Sequence, residues 1–363
     1  FDGNAGLIPA QMSNPHLTWE KSDQYDLGLD LQVLDYRLKF KLDYYYKYSS
    51  NLLMQKYLPG NFFYTDKVWD NISAISNEGI EFEMQADLIR SKDLNLSVGL
   101  NVSHNRNLFR KTHNGEDLND KVLGRPVYGI YTFQDEGIVK DESEIPYHYS
   151  QTGARLPLYF GNPNYPLRVG GRKIKDQNMD GKIDNSDLYY AGSTLPTAYG
   201  GINGHLDWKG FNVDVLFSYV LGRKVMNMVQ NSAFSFNKTV NPLMGHFRAN
   251  EYWSKDNPNA TKPALEFADP GYLGHFDGNV DSNIENISFL RLKQLVLGYT
   301  LPATWFKSKF IKSVNVYLSG ENLFMLTNYS GLDPEVIDPY TGKDDGSQYP
   351  LNRKLTLGIN VKF

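Results

Sequence analysis

The sequence predicts an all-β chain, the C-terminal portion of a large transmembrane β-barrel, with about nine antiparallel strands, long extracellular loops and short periplasmic turns. Three observations predict it. Arg353–Phe363 places Leu355, Leu357, Ile359, Val361 and Phe363 on one face and Lys354, Thr356, Asn360 and Lys362 on the other. That is the period-two signature of a strand with one apolar and one wet face. The same pattern recurs along the chain at lengths suited to a barrel strand, which needs roughly 9–11 residues to cross a bilayer. Finally, short and long connections alternate, as they do in outer-membrane barrels.

Taken in order, Tyr25–Val33 sets Tyr25, Leu27, Leu29, Leu31 and Val33 against Asp26, Asp30 and Gln32. Arg37–Ser49 sets Leu38, Phe40, Leu42 and Tyr44 against Lys39, Lys41 and Asp43. Gly79–Leu88 and Leu94–Asn105 alternate likewise, with Glu81, Glu83, Gln85 and Asp87 forming a polar row on the first. Thr197–Trp208, Phe211–Leu221, Ile287–Leu301, Val314–Phe324 and the terminal segment complete the set. Ile287–Leu301 alternates poorly at Phe289-Leu290-Arg291-Leu292, which predicts a bulge or a strand apolar on both faces. Asp35-Tyr36, Arg90–Asp93 and Lys209-Gly210 read as tight turns. Residues 50–76, 107–196, 222–286 and 327–350 read as long extracellular loops. Loops of that length inside a compact domain are usually functional.

Composition agrees. Aromatics make up 14% of the 363 residues, with 25 Tyr and 20 Phe, yet mean hydropathy is −0.47. Tyr and Trp gather where one end of a ring is apolar and the other wet, and strands with half their residues in a watery lumen stay hydrophilic on average. A net charge of −4 gives no electrostatic footprint for nucleic acid. With no Cys, disulfides and thiolate metal sites are excluded. No apolar run is long enough for a transmembrane helix. The chain opens on Phe1 with neither Met nor signal peptide. An odd strand count would leave sheet edges unpaired in lipid, so a fragment of a longer barrel is expected.

One motif carries site chemistry. Asp176-Gln-Asn178-Met-Asp180-Gly181-Lys182-Ile-Asp184-Asn-Ser-Asp187 has the spacing of an EF-hand-type calcium loop. Asp176, Asn178 and Asp180 supply oxygens at positions one, three and five, and Gly181 permits the sharp turn at six. Lys182 offers its backbone carbonyl at seven, Asp184 a water at nine, and Asp187 closes the loop at twelve. Structural Ca2+ is expected, with Mg2+ possible because the closing Asp reaches less far than Glu. The alternative is a metal-free acidic Asx-turn loop. No flanking helix pair suggests a sensor, so the expected role is to order a long surface loop.

Catalysis finds no support. Cys nucleophiles and His-Glu-x-x-His are absent, and Glu81 with Glu83 belongs to a polar lumen-facing row rather than to a glycosidase pair. His104 and His205 read as polar wall.

The chain resembles the C-terminal part of SusC/RagA-type TonB-dependent transporters of the Bacteroidota outer membrane. The resemblance rests on Asn14–Glu20 leading into Asp26-Leu-Gly-Leu-Asp30, on Asn77-Glu-Gly-Ile-Glu-Phe82, and on Gly124–Tyr131 with Asp135-Glu-Gly-Ile138. It continues in Asp176–Asp187 followed by Gly192–Pro196, in Phe289–Lys293 with Leu297–Pro302, in Leu318–Leu323 and in the terminal Phe363. Met179 departs from the family's usual Gly at a non-ligand position. The resemblance implies a barrel of about 22 strands with an N-terminal plug and a TonB box, neither of them in this chain. It also implies a SusD-like surface lipoprotein as lid, coupling to TonB through the missing N-terminal region, and import of a glycan or peptide. Aromatics in the loops (Tyr64, Trp69, Tyr147, Tyr149, Tyr159, Trp253) are candidates for stacking on sugars or packing on the lid. Two other readings stay open: a non-transporting scaffold barrel, and a secreted calcium-stabilised carbohydrate-binding module.

Overall fold

The structure is a computed structural model that describes residues 13–57, 67–112, 114–117, 121–229, 251–264, 279–306 and 310–363. Its main sheet carries a meander of long strands: β1 (Lys21–Val33), β2 (Leu38–Tyr57), β3 (Lys67–Arg90), β4 (Leu94–Lys111), β5 (Ala198–Trp208), β6 (Phe211–Asn227), β7 (Ile284–Thr300), β8 (Ser313–Glu321) and β9 (Lys354–Lys362). They lie side by side in chain order, every neighbouring pair antiparallel. Every strand expected from the alternation is present.

Register shows why. Leu31, Phe40, Met84, Leu100, Ile202, Phe217 and Leu292 are partners in succession across seven strands. One residue earlier or later along each strand runs the opposite row, Asp30, Lys41, Glu83, Asn101, Gly201, Ser218 and Arg291. A one-residue slip of any strand would move its apolar set into the polar row, so the pattern fixes the register. Phe40 and Phe82 stack across the strands at 6.1 Å. At the end bearing the tight turns, Trp208, Phe211 and Tyr299 form an aromatic row, with centroids 6.2 and 4.5 Å apart, as at a membrane interface.

The turns follow from backbone chemistry. Lys209 and Gly210 adopt φ of 48° and 93°, which makes a two-residue turn whose twist matches that of the flanking strands. The β1–β2 turn is unusual in placing Leu34, Asp35 and Tyr36 all in the left-handed region, closed by Arg37 N–H donating to Leu34 O at 3.1 Å.

The sequence expectation errs in the loop at 50–76. β2 runs on to Tyr57 and β3 begins at Lys67, so most of that stretch is strand. Alternation breaks there because Asn51 sits at φ 55° and the register shifts on both sides of Leu52. The Asn71 side chain ties this irregularity down by donating to Asn51 O at 2.6 Å. At about 3.3 Å per residue, the 24 residues of β3 reach well past a hydrocarbon core of roughly 30 Å. The strand is therefore longer than a bilayer crossing requires.

The bulge expected in β7 falls at Lys293, where the partners of Leu216 and Phe217 skip from Gln294 to Leu292. Beyond β8 the chain bends at Asn322 (φ 52°) and rejoins β7 through Met325–Thr327.

The long connections are structured. Within 107–196, short strands pair as Gly129–Thr132 with Tyr189–Ser193, Asp135–Ile138 with Arg172–Ile174, and Tyr147–Tyr149 with Arg155–Pro157. Tyr159–Phe160 runs parallel to Lys182–Ile183. Their core is Phe133, Leu158, Phe160, Leu167, Ile174 and Ile183, joined by Val280 from the next long connection. Two loops thus share one core.

Candidate functional site

The acidic loop is built into that core. Ile183, its eighth residue, is fully buried. Its strand lies beside Tyr159–Phe160, and Gly161 N–H donates to Ile183 O at 2.9 Å. Met179 (φ 59°) and Gly181 (φ 89°) provide the left-handed turns. Gly181 N–H donates to Asp176 Oδ2 at 2.9 Å and closes the loop. A Cβ at Gly181 would meet the His148 ring at 2.4 Å, so the hairpin carrying His148 packs directly on the loop.

The ligand types expected at each position are brought together unequally. Asp180 N–H donates to Asn178 Oδ1 at 3.0 Å and Lys182 N–H to Asp180 Oδ1 at 3.1 Å. Asp187 is fully buried and accepts the N–H groups of Gln177 and Asp184, each at 2.8 Å. Asp184 in turn accepts Ser186 N–H at 2.8 Å, so Asp184 and Asp187 form a reciprocal cap on the short helical turn Asn185–Asp187. The Lys182 ammonium contacts the Asp184 carboxylate and lies 3.6 Å from Asp180 Oδ2. Asp176 Oδ1 is buried with no hydrogen-bond partner.

Electrostatics follow from this arrangement. Burial, reinforced by the nearby Asp176 charge, pushes the Asp187 carboxyl above its ordinary range against the backbone donors that favour its anion. The Lys182 ammonium holds Asp184 below the ordinary range, and Asp184 raises Lys182 in return. Among the described residues, no three His, Asp or Glu side chains already converge as a ligand set, because the carboxylates here are turned to backbone N–H groups and to Lys182. The residues still fit a hard cation in one respect: the unpartnered Asp176 Oδ1 is an acceptor that water does not reach, and a buried acceptor without a partner is costly.

Other predicted groups are placed plainly. Glu83 faces Lys41 at 3.9 Å and Glu81 pairs in register with Asp43, a wall row and not a catalytic pair. His104 Nδ1 meets Thr197 O at 2.5 Å, and His205 lies between Asp214 (2.6 Å) and Asp207 (2.9 Å). Tyr147 and Tyr149 are exposed and edge-to-face at 5.5 Å, with the Arg155 guanidinium 3.7 Å from the Tyr147 ring. Trp69 is partly exposed on β3, while Trp253 lies against Gly170. Tyr64 lies outside the described residues, as does 234–242, the part of the long, aromatic-rich 222–286 loop expected to bear a surface lipoprotein.

Sequence spacing missed the long-range ion pairs. Arg172 binds Asp135, whose carboxylate also accepts Ser282 Oγ at 2.7 Å. Tyr189 Oη donates to Asp281 at 2.6 Å. Arg291 reaches inward from β7 to Asp333 at 2.5 Å and to Glu335, which Lys293 also meets at 2.7 Å. The poor alternation at Phe289–Leu292 was the one local hint.

Comparison with known proteins agrees with this geometry. Residues 2–220 match the family model described as TonB dependent receptor-like, beta-barrel. The chain is 28% identical over 384 residues to TonB-dependent receptor P26 of Formosa agariphila, covering 99% of this chain and 36% of that protein. It is 28% identical over 352 residues to TonB-dependent receptor SusC of Bacteroides thetaiotaomicron, covering 96% of this chain and 32% of that one. Among solved structures, that of the RagAB peptide transporter superposes over the whole chain with a TM-score of 0.72 at 25% identity, using 38% of its own length. The chain spans about a third of the length of the curated relatives it matches.

Proposed function

The chain belongs to the TonB-dependent receptor-like β-barrel family, and from that premise we propose that it forms part of the wall of an outer-membrane importer for a bulky nutrient, an oligosaccharide or peptide. The observation that carries this is the meander itself. One face bears a continuous apolar band, the other a polar row, and the antiparallel order brings every long connection to the same end. The apolar band meets lipid and the polar row lines the lumen. The long connections face the cell exterior, where they hold the substrate and a SusD-like lipoprotein lid. Energy comes from TonB, engaged by a region N-terminal to this chain. Groups for covalent chemistry have no part in this function, and the relatives are receptors and transporters, not enzymes.

The acidic loop serves this function as a structural clamp. Asp176, Asn178, Asp180 and Asp187, with the Lys182 carbonyl and a water on Asp184, would hold Ca2+. The ion supplies the positive charge that Asp176 Oδ1 lacks. The clamp keeps the shared core of the two large loops ordered at the mouth of the barrel.

The test is uptake. Cells that produce the full-length protein should accumulate labelled oligosaccharide or peptide in a TonB-dependent manner. Deleting 234–242 should weaken co-purification of the lipoprotein while the barrel stays folded. Normal uptake without TonB would overturn the transport reading, and an unchanged complex would overturn the role of that segment.

A further inference from the structure

At the end of the meander opposite the long connections, every turn repeats the same two parts, exposed apolar side chains and a cation. The β1–β2 turn exposes Leu34 and Tyr36 beside Arg37, and the β3–β4 turn exposes Ile89 beside Arg90 and Lys92. Between β5 and β6, Lys209 stands between Trp208 and Phe211, both exposed. Between β7 and β8, exposed Trp305 and Phe310 precede Lys312, and exposed Phe363 follows Lys362 after β9. The last two sets are joined, because Lys312 N–H donates to Lys362 O at 2.8 Å.

Charge divides unevenly between the two ends. The described residues of 34–37, 90–93, 208–211, 301–312 and 361–363 include six Lys or Arg against two acidic residues, Asp35 and Asp93, in a chain of net charge −4. All six cations are exposed, and among the described residues none of them makes an ion pair. Cations elsewhere on the wall do find carboxylates, as Arg106 does at Glu78 (3.1 Å) and Lys354 at Glu321 (3.2 Å). The acid nearest Lys209 in sequence, Asp207, lies opposite Asn212 in the polar row and 2.9 Å from His205.

Register decides what these cations face. Leu94, Trp208 and Phe211 are partners in succession, and each lies six residues along its strand from Leu100, Ile202 and Phe217 of the apolar band. An even step keeps a side chain on the same face, so the aromatic row is the turn-side border of the band. A cation just beyond such a border stands where lipid headgroups begin.

Unpaired cations call for an anion, and their neighbours narrow its kind. Inorganic phosphate would leave Trp208, Phe211 and Trp305 in water. An acidic protein would have to cover side chains that border the lipid-facing band. A phospholipid with an anionic headgroup meets both needs, since its phosphate reaches the cations while its acyl chains lie against the aromatic row.

We propose that this turn-side rim binds anionic phospholipids, with Lys209, Lys312 and Lys362 holding the headgroups. The inference goes beyond the import reading and rests only on that reading's assignment of the apolar band to lipid. The rim thereby fixes the depth of the wall in the bilayer by charge as well as by its aromatic row.

The test titrates phosphatidylglycerol and phosphatidylcholine of identical acyl chains into the full-length protein in neutral detergent, with bound lipid read by native mass spectrometry. Each cation near an anionic headgroup is worth about fivefold in binding, so phosphatidylglycerol should bind at least that much more tightly. Lys209→Gln, Lys312→Gln and Lys362→Gln together should abolish the preference. Lys140→Gln, Lys173→Gln and Lys255→Gln, which remove the same charge from the long connections, should leave it intact. Inorganic phosphate should not displace bound phosphatidylglycerol. Heat-modifiable mobility on gels reports that each variant barrel is folded, and Lys209→Gln alone, with a partial loss of preference, serves if the triple variant is not. Equal binding of the two lipids, or a preference unchanged in the rim variant, overturns the proposal and leaves the contact of the band with lipid standing. Displacement by inorganic phosphate overturns it in favour of a free anion, and binding of neither lipid by folded protein overturns both the rim and the lipid-facing band.

Discussion

Asp176 closes the acidic loop onto Gly181, accepting its N–H at 2.9 Å through Oδ2, while its other oxygen stays buried and unpartnered. One carboxylate therefore does a local backbone task and leaves a lone acceptor that a bound cation would satisfy. Calcium should order the loop. Chelation by EGTA should raise proteolytic cleavage within 176–187, and added Ca2+ should suppress it. Asp180→Ala should abolish that calcium dependence while the barrel remains folded. Removing Lys182, whose ammonium competes at Asp180 and Asp184, should tighten Ca2+ binding, because position seven contributes only its carbonyl. Cleavage indifferent to Ca2+ in the wild type would count against the clamp.

Gly181 should resist substitution for two separate reasons. Its φ of 89° lies in the left-handed region, where an L side chain costs roughly 1–2 kcal/mol, and a Cβ there would strike the His148 ring. Gly181→Ala should loosen both the loop and the 147–157 hairpin, seen as faster amide exchange in both. Exchange confined to the loop would show that the packing on His148 contributes nothing.

The loop should respond to pH in two opposed windows. The folded Asp187 carboxyl lies above its ordinary value of 3.8 because it is desolvated. Its ionised form is therefore the strained one, and the metal-free loop gains stability as pH falls through that raised value. Ca2+ needs the ionised form, so affinity should fall as pH falls through the same raised value. Asp184 is shifted the other way by Lys182; its contribution is present above 3.8 and is lost only as pH falls through its lower folded value. Calcium titrations between pH 7 and pH 4, with exchange rates of the metal-free loop alongside, check both signs. Affinity constant across that range would overturn the assignment of Asp187 as a ligand.

Lipid and lumen faces should differ sharply in tolerance. Phe40 and Leu100 lie in the apolar band, and Lys41 and Asn101 lie one residue away in the polar row. Lys at either band position should cost about 2–4 kcal/mol near mid-membrane depth, while Ala at Lys41 or Asn101 should cost little. Denaturant unfolding from lipid vesicles measures the difference. Equal cost on both faces would overturn the assignment of the band to lipid.

How much of this was legible in the sequence depends on what constrained each part. The wall was readable because a strand between lipid and water must alternate, so Leu38, Phe40 and Leu42 declare their face without reference to any partner. The reading failed where a local device interrupts the period, as at Asn51, whose left-handed backbone and bulge made continuous strand look like loop. The acidic loop was readable because its donors are set by spacing within twelve positions. Its attachment was not. Arg172 and Ser282 are 110 residues apart and Arg291 and Asp333 are 42 apart, and nothing in local pattern couples them.

The Arg291–Asp333 pair should be the most sensitive contact between wall and loop. Arg291 points from the polar row of β7 into the protein, and both partners are almost fully buried, at 4% and 3% exposure. Asp333 is committed further, accepting Glu335 N–H at 3.0 Å and Leu351 N–H at 3.1 Å, so one carboxylate gathers both ends of the final loop onto the guanidinium. Removing one partner of a buried pair leaves the other charge without compensation, which costs about 3–5 kcal/mol. Asp333→Ala should therefore release the 328–353 loop and expose it to protease, with the penalty falling on the loop because the β7–β8 and β8–β9 ladders do not use this carboxylate. Asp333→Asn keeps the shape and one acceptor and should lose less. Arg291→Met with Asp333→Leu, which removes both charges, should recover the charge-burial part of the loss but not the two backbone hydrogen bonds to Glu335 and Leu351. Protease-resistance midpoints for the three variants, set beside heat-modifiability of the barrel, separate loop release from global unfolding. An Asp333→Ala loop as resistant as the wild type would show that this ion pair does not hold it.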